Sequence, residues 1–484
     1  MTLRIRVENV EFFWQMVDTR MPFRYGSAKL ERCPHLYVVA TICDEKGQSA
    51  RGIASDNLPP KWFDKSPQKD YAQELRDQIQ VVRWAAESAQ SLGFDTPFRL
   101  WFEVYEATQT QASRAGLPKL LAGFGPSLIE RAVNDAAAKL LNLPFHEYLR
   151  GNAAGVELGL LDTQLRGVSP RDLLPERPRA AIFARHTVGL SDPIRAAEIP
   201  ADERLRDGLP QSLDEVLGFY GVRYFKIKVC NQLEHDIARL EAINALLDEA
   251  IPGEACVSTL DGNEQYEDFE QLLPLIEALT TRPSLRRLAA SIEFIEQPLA
   301  RAYALDAAPC AALPRVTAQF PVIIDEADDD LAAFPRALAL GYNGTSHKNC
   351  KNTFKSVANL ARLQREAAAG RPAMLSAEDL TNIGIVALNQ DLTALSALGI
   401  AHAERNGHHY FRGLSHLPRE VQLAMVAALP QLYADDGTMA RLDIQNGTIN
   451  CAALHAVPGL GVPVWPDLAQ CRGLEEFDAA LAAM

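Results

Sequence analysis

Six charged residues in the middle of the sequence each stand at or just past the end of a short apolar run: Lys226, Lys228, Asp261, Glu296, Asp325 and Lys348. Three carboxylates of this kind supply the oxygen ligands that a hard cation such as Mg²⁺ prefers. No histidine or cysteine shares the pattern, so zinc is not indicated. Lysines on both sides of the acids are candidates for proton transfer. The plainer alternative is that the acids only cap helices and the lysines only reach solvent.

The spacing of these residues predicts the elements that position them. From Lys228 to Lys348 the charged positions follow at steps of 33, 35, 29 and 23 residues, the length of one strand plus one helix. Eight apolar strand candidates, most of them separated by helical patterns, lie at 182–188, 222–229, 255–260, 291–296, 321–325, 342–347, 372–376 and 398–404. This alternation predicts an α/β fold with a modified TIM (β/α)8-type barrel over residues 180–430. The charged residues would then converge on one face of the barrel.

The flanking sequence predicts a second module. Antiparallel strand patterns over residues 1–60 are followed by amphipathic helical patterns, so 1–165 is interpreted as an N-terminal α+β capping domain. The turn-rich segment 431–484 is expected to return to this cap and complete it. The polar stretch 190–213 is longer than a βα loop needs and is interpreted as an insertion after the first barrel strand.

Composition excludes several classes of protein. The net charge of −14 argues against nucleic acid as a partner, because phosphate binding requires a basic face. The eight cysteines are scattered without a CxxC motif, as in a reduced cytosolic protein. No apolar run is long enough for a membrane helix or signal peptide. We therefore expect a soluble, cytoplasmic protein that acts on a small molecule, and the sequence leaves a homo-oligomer open.

The lysines have a distinctive placement. Lys226 and Lys228 are two residues apart, so on one strand they point to the same side, which is the barrel interior. Positive neighbours, including a metal ion, lower the pKa of a lysine, and such a lysine can act as a base. Lys348 ends the sixth strand, which lies across the ring from the second. A substrate held between them would have a lysine on each face.

Taken together, these motifs resemble the enolase superfamily, and most closely its mandelate racemase/muconate lactonizing enzyme branch. The resemblance is carried by KIK, DGN, EQP and DE at successive strand ends and by the strand-six lysine. ERAVNDAAAKLLNLPFHEYLRG is similar to the cap-domain helix of the family, and VPGLGVPV to its C-terminal segment.

The resemblance implies a cofactor and a set of roles. Mg²⁺ would bind Asp261, Glu296 and Asp325 and hold a substrate carboxylate, and a lysine would abstract the α-proton to give a metal-stabilised enediolate. By position, Lys228 and Lys348 would be the acid/base pair, with Lys226 assisting electrostatically. Asn263 and Glu326 would support the metal ligands.

Substrate contacts are harder to place from the sequence. The cap loop and strand ends offer Arg24, Tyr25, His347 and Glu404 as candidates, although exposed arginine is the simpler interpretation of Arg24. The last strand, HAERNGHHYF, contains His402, Glu404, His408 and His409, and one of these is a candidate acid toward a leaving group, although a lone histidine is more often structural. Strand seven, RPAMLSAEDL, has no histidine, which argues against a histidine base there.

The chain also departs from the family pattern. Cys230 stands where a glycine often follows KxKV, and the strand-six segment lacks the usual Gly-Gly. Lysines on both faces favour a racemase or epimerase. An acid-sugar dehydratase and a cycloisomerase are the alternatives, and a catalytically silent ligand-binding relative is the non-enzymatic one.

Overall fold

The computed structural model describes residues 2–25 and 28–481. The N-terminal region contains a three-stranded antiparallel sheet covered by helices. Its elements are β1 (Ile5–Tyr25), β2 (Ala28–Asp44), β3 (Ser49–Asn57), α1 (Tyr71–Ser91), α2 (Pro97–Arg114), α3 (Lys119–Leu140), α4 (Phe145–Arg150) and α5 (Pro170–Leu173). The capping region that the strand and helix patterns predicted is therefore present.

Helix α3 packs against β2 and β3 of the sheet and against α1 and α2, and nearly all of its residues are buried. Gly52 of β3 permits this close packing, because a Cβ atom there would lie 2.1 Å from the Ala132 carbonyl oxygen and 2.3 Å from the Ala136 nitrogen. Helix α1 begins at a capping box in which Asp70 and Gln73 satisfy each other's backbone amides.

The central region alternates strands and helices around a ring. Its elements are β4 (Ala181–Val188), α6 (Leu213–Tyr220), β5 (Tyr224–Lys228), α7 (Leu233–Ala250), β6 (Val257–Asp261), α8 (Leu273–Thr281), α9 (Arg286–Ser291), β7 (Ile292–Glu296), α10 (Leu313–Thr317), β8 (Val322–Ile324), α11 (Ala333–Leu340), β9 (Gly344–His347), α12 (Thr353–Ala368), β10 (Met374–Ala377), α13 (Ala387–Leu398), β11 (His402–Glu404), α14 (Gly407–Tyr410) and α15 (Arg419–Ala428).

Strands β4 to β10 pair in parallel with their neighbours in sequence order, and β11 pairs in parallel with β4. Arg185 of β4 ties the ring together, because its guanidinium donates to Ser376 Oγ (3.0 Å) and to the Ala377 carbonyl (3.1 Å) of β10. Each of the eight predicted strands overlaps an observed one, so the predicted modified barrel is confirmed. The segment 190–213 joins β4 to α6 through irregular chain and one short 3₁₀ turn.

The C-terminal region adds strands to both sheets and contains a separate two-stranded sheet. Its elements are β12 (Tyr433–Asp435), β13 (Ala440–Leu442), β14 (Ile444–Gln445), β15 (Thr448–Asn450), β16 (Arg472–Gly473) and α16 (Phe477–Leu481). Strand β15 pairs antiparallel with β4 and so extends the barrel sheet. Strand β16 pairs with β1 of the cap sheet, as expected for a returning tail. No helix among the described residues is both long and apolar enough to cross a membrane.

Candidate active site

The barrel strands bring the six charged residues to one mouth. The strand register places Lys228 beside Asp261, and Asp261 beside Glu296. Asp325 and Lys348 each follow directly after the last residue of β8 and β9. All six side chains are buried. The alternation of strand residues explains this arrangement, because each side chain lies on the inward-facing side at the carboxyl end of its strand.

Lys226 is the centre of this cluster. Its ammonium nitrogen lies 2.9 Å from Asp261 Oδ2, 3.0 Å from Glu296 Oε1, and 2.8 Å from both Glu378 Oε2 and Glu404 Oε2. Burial lowers the pKa of Lys226, but the four carboxyl groups outweigh burial and raise it well above its usual value. The carboxylates around Lys226 outnumber the ammonium groups, so their effect on its pKa exceeds the lowering that positive neighbours alone would cause.

The two candidate proton-transfer lysines are each paired with a carboxylate. Lys228 Nζ lies 2.5 Å from Asp261 Oδ2. Lys348 Nζ lies 2.9 Å from Asp325 Oδ2 and 3.0 Å from Glu378 Oε2. As for Lys226, burial lowers the pKa of Lys348 but its carboxylate partners raise it well above the usual value. These contacts hold both ammonium groups at the edge of the same acidic cluster.

The supporting residues lie where the sequence predicted them. Asn263 donates to Asp261 through its backbone nitrogen (2.8 Å) and through Nδ2 (3.2 Å). Glu326 lines the cavity beside Asp325, and burial together with that neighbour raises its pKa to about 7. A further lysine, Lys351, donates to Asp325 Oδ1 at 2.9 Å.

The donor set fits a divalent cation. Glu296, Asp325 and Glu378 each offer an oxygen atom, and these three atoms lie within 4.8 Å of one another. Glu296 Oε2 is buried without a hydrogen-bond partner among the described residues. Burial and the adjacent Glu378 carboxyl raise the pKa of Glu296 well above its usual value, a sign of surplus negative charge. A hard cation with oxygen ligands would remove that surplus.

Two features of this group of carboxylate oxygens were not predicted from the sequence. Asp261 is absent from the close group of oxygen atoms, because its Oδ2 is held by Lys226 and Lys228. Glu378 belongs to the group instead, and it follows directly after β10, the seventh barrel strand. The signal for it in the sequence is the acid at the strand end in SAED.

The cap closes over the mouth with aromatic side chains. Phe23, Tyr25 and Trp62 line the same cavity as the charged cluster, and this cavity opens to solvent. The Tyr25 hydroxyl donates to the Pro60 carbonyl at 2.7 Å. The Trp62 ring centroid lies 4.5 Å from Lys348 Nζ, a cation–π contact. The cavity therefore has a charged floor, and its cap side combines these aromatic rings with Lys61 and Lys65.

Two of the predicted substrate contacts, Arg24 and His347, do not line this cavity. Arg24 is exposed, because strand alternation places it on the opposite side of β1 from Phe23 and Tyr25. His347 is buried toward α12, where its Nδ1 lies 2.6 Å from Ser356 Oγ. The preceding residue, Ser346, faces the barrel interior and donates to Glu378 Oε1 at 2.9 Å.

Glu404 is the one strand-eight candidate that lines the cavity, and Asn406, two residues further on, lines it as well. His402 begins β11, away from the mouth, and its Nε2 lies 2.8 Å from Glu293. His408 and His409 are packed against His186 and are not among the lining residues. The expectation that one of these histidines serves as an acid has no support from their positions.

No protein-family model matches the chain, and no curated protein does. Several solved structures do. A mandelate racemase/muconate lactonizing protein from Herpetosiphon aurantiacus aligns with a TM-score of 0.60 and 16% identity, covering 95% of this chain and 99% of that one. The N-succinyl Arg/Lys racemase from Bacillus cereus aligns with a TM-score of 0.57 and 14% identity, covering 98% of both chains.

A third similar structure is the dipeptide epimerase from Enterococcus faecalis, solved with Mg and the dipeptide L-Leu-L-Tyr. It aligns with a TM-score of 0.54 and 16% identity, over 84% of this chain and 92% of that one. The protein thus has the fold of the enolase superfamily, a cap over a modified barrel. The resemblance drawn from the strand-end motifs is confirmed at the level of the fold.

Proposed function

We propose that the protein is a Mg²⁺-dependent enzyme that removes the proton α to a carboxylate of a small substrate. One observation carries this proposal. Two ammonium groups, those of Lys228 and Lys348, reach the same acidic cluster from strands on opposite sides of the barrel mouth. A purely structural cluster has no need for cations placed in this opposed way.

The metal would be held by Asp261, Glu296 and Asp325, with Asn263 and Glu326 supporting them. When bound, Mg²⁺ neutralises a substrate carboxylate and the negative charge that grows as the α-proton leaves. Metal binding requires Asp261 to exchange a lysine contact for the cation. Each carboxylate is buried, so the charge of the cation would be little screened by solvent.

The lysines would move the proton. Lys228 ends β5 and Lys348 follows β9, four strands apart in a ring of eight. A substrate between them presents one face of its α-carbon to each nitrogen. For transfer to occur, one lysine must be neutral to accept the proton and the other protonated to return one. Lys226, surrounded by four carboxyl groups, stays charged and fixes the positions of their oxygen atoms.

This geometry favours a racemase or epimerase, because the proton can leave one face and return to the other. Two of the similar structures are a racemase and an epimerase, which supports this choice. A dehydratase or cycloisomerase would need only one lysine as base. The aromatic wall of Phe23, Tyr25 and Trp62 favours a substrate with an apolar group beside its carboxylate.

The test is a screen for solvent deuterium uptake at the α-carbon. Purified protein with Mg²⁺ is incubated in D₂O with N-acyl amino acids, dipeptides, α-hydroxy acids and sugar acids, and mass is measured. At least one compound is expected to gain one deuterium, and EDTA is expected to stop the gain. Binding of Mg²⁺ without exchange on any compound would favour a silent ligand-binding protein instead.

A further inference from the structure

We propose that Glu378 is a ligand of the metal, contributed by the seventh barrel strand. This inference rests on the proposed metal-dependent function, and it concerns a residue outside the three acids expected to hold the cation. Glu378 is the first residue after β10, and its side chain is 2% exposed. It therefore reaches the mouth in the same way as Asp325 does from β8.

The first argument is distance. One carboxylate oxygen each from Glu296, Asp325 and Glu378 lies within 4.8 Å of the other two. Three points no farther apart than 4.8 Å share a centre within about 2.8 Å of each, and Mg²⁺ binds oxygen at roughly 2.0–2.1 Å. Movements below about 1 Å, within the reach of a side-chain rotation, would bring all three oxygens to the cation.

The second argument is charge. Glu378 Oε2 contacts both Lys226 (2.8 Å) and Lys348 (3.0 Å), while Glu296 and Glu404 also crowd around Lys226. The four ammonium groups of the cluster contact five carboxyl groups, so one positive charge is missing from this buried space. Glu296 Oε2, which has no partner among the described residues, marks the side of the cluster where positive charge is missing.

The competing explanation is that Glu378 serves only as an ion-pair partner of Lys226 and Lys348. Glu404 provides a matched comparison, because its side chain also faces inward from the end of a barrel strand and also contacts Lys226 at 2.8 Å. Glu404 is outside the close group of oxygen atoms. A ligand role predicts that metal affinity depends on Glu378 and not on Glu404, whereas a shared ion-pair role predicts equal effects.

The experiment measures binding of Mn²⁺, a spectroscopic substitute for Mg²⁺, from the electron paramagnetic resonance signal of the free ion. Wild type, Glu378→Gln, Glu404→Gln and Glu296→Gln are titrated without substrate. Loss of a carboxylate ligand is expected to weaken Mn²⁺ binding at least 10-fold, on the order of the loss known for altered metal surroundings. We expect such a loss in Glu378→Gln and Glu296→Gln, and a change below about threefold in Glu404→Gln.

Glu378→Asp is a second variant in case the glutamine variant fails to fold, which circular dichroism would detect. It keeps the negative charge beside the lysines but withdraws the oxygens, so it is also expected to weaken Mn²⁺ binding. If Glu296→Gln loses affinity while both Glu378 variants keep it, the inference is overturned and the metal-dependent function stands. Equal losses in Glu378→Gln and Glu404→Gln also overturn it. Wild type that binds no Mn²⁺ overturns both.

Discussion

Arg20 is expected to lock the cap over the barrel mouth, and replacing it with alanine should release the segment 190–213. The guanidinium donates to Asp207 Oδ2 (2.6 Å) and Oδ1 (2.9 Å) and to the carbonyls of Leu209 (3.2 Å), Pro210 (3.1 Å) and His409 (2.9 Å). It lies where the β1–β2 register is irregular, which frees it to turn toward the insertion.

The size of the effect follows from burial. The Arg20 side chain is 3% exposed and that of Asp207 is 17% exposed, so the pair is largely removed from water. Breaking a buried pair by removing one partner costs about 3–5 kcal/mol, and partial access of water to Asp207 favours the lower end. A local opening that is easier by about 3 kcal/mol raises its equilibrium constant roughly 100-fold.

Hydrogen–deuterium exchange read by mass spectrometry measures this opening directly. In Arg20→Ala, amides of residues 200–211 should exchange roughly 100-fold faster, while the barrel strands keep wild-type protection. Arg24→Ala is the matched control, because Arg24 is an exposed arginine on the same strand. If Arg20→Ala and Arg24→Ala leave exchange in this segment equally unchanged, the insertion is held by other contacts and the reasoning is refuted.

Two further predictions concern stability. Burial raises the pKa of Glu130 to about 8, although its carboxyl accepts a hydrogen bond from the backbone N–H of Thr353. The protonated carboxyl therefore stabilises the folded state fully below about pH 4.5, and this stabilisation is lost as the pH rises through 8. Between pH 5 and 8, wild type should therefore lose roughly 2–4 kcal/mol of unfolding free energy relative to Glu130→Gln, measured by urea denaturation, and parallel curves would contradict this. Gly52→Ala should lower Tm strongly, because the new Cβ would lie 2.1 Å from the Ala132 carbonyl oxygen, whereas Gly93→Ala, with no atom within 4 Å, should leave Tm nearly unchanged. A Gly52→Ala protein with wild-type Tm would show that β3 and α3 separate easily.

The barrel could be predicted from sequence because its signals are local. Each strand is a short apolar run, and each charged residue at its end marks the point where the chain leaves the barrel. The spacing of Lys228, Asp261 and Glu296 along the sequence therefore predicted that they lie at the ends of neighbouring barrel strands. The return of the tail to the cap was also expected, but the pairing of β15 with β4 joins segments far apart in sequence and had no local signal.

The features that the sequence did not predict depend on several strands at once. The pKa of Lys226 depends on how many carboxyl groups surround it, and Glu378 and Glu404 come from strands seven and eight. Arg24 and His347 were misplaced because one residue of shift along a strand reverses the side that a side chain faces. Chemical type alone could not decide which neighbour in each pair faces the cavity.

Lys228 and Lys348 are proposed to flank the α-carbon of the substrate. Deuterium uptake from D₂O, measured for each enantiomer of a compound that the wild-type protein exchanges, tests this placement. Lys228→Ala should lose on the order of 10²-fold or more of the exchange from one enantiomer and retain exchange from the other, and Lys348→Ala should show the opposite preference. Near-wild-type exchange from both enantiomers in both variants would refute this placement, because the base would then lie elsewhere in the cavity.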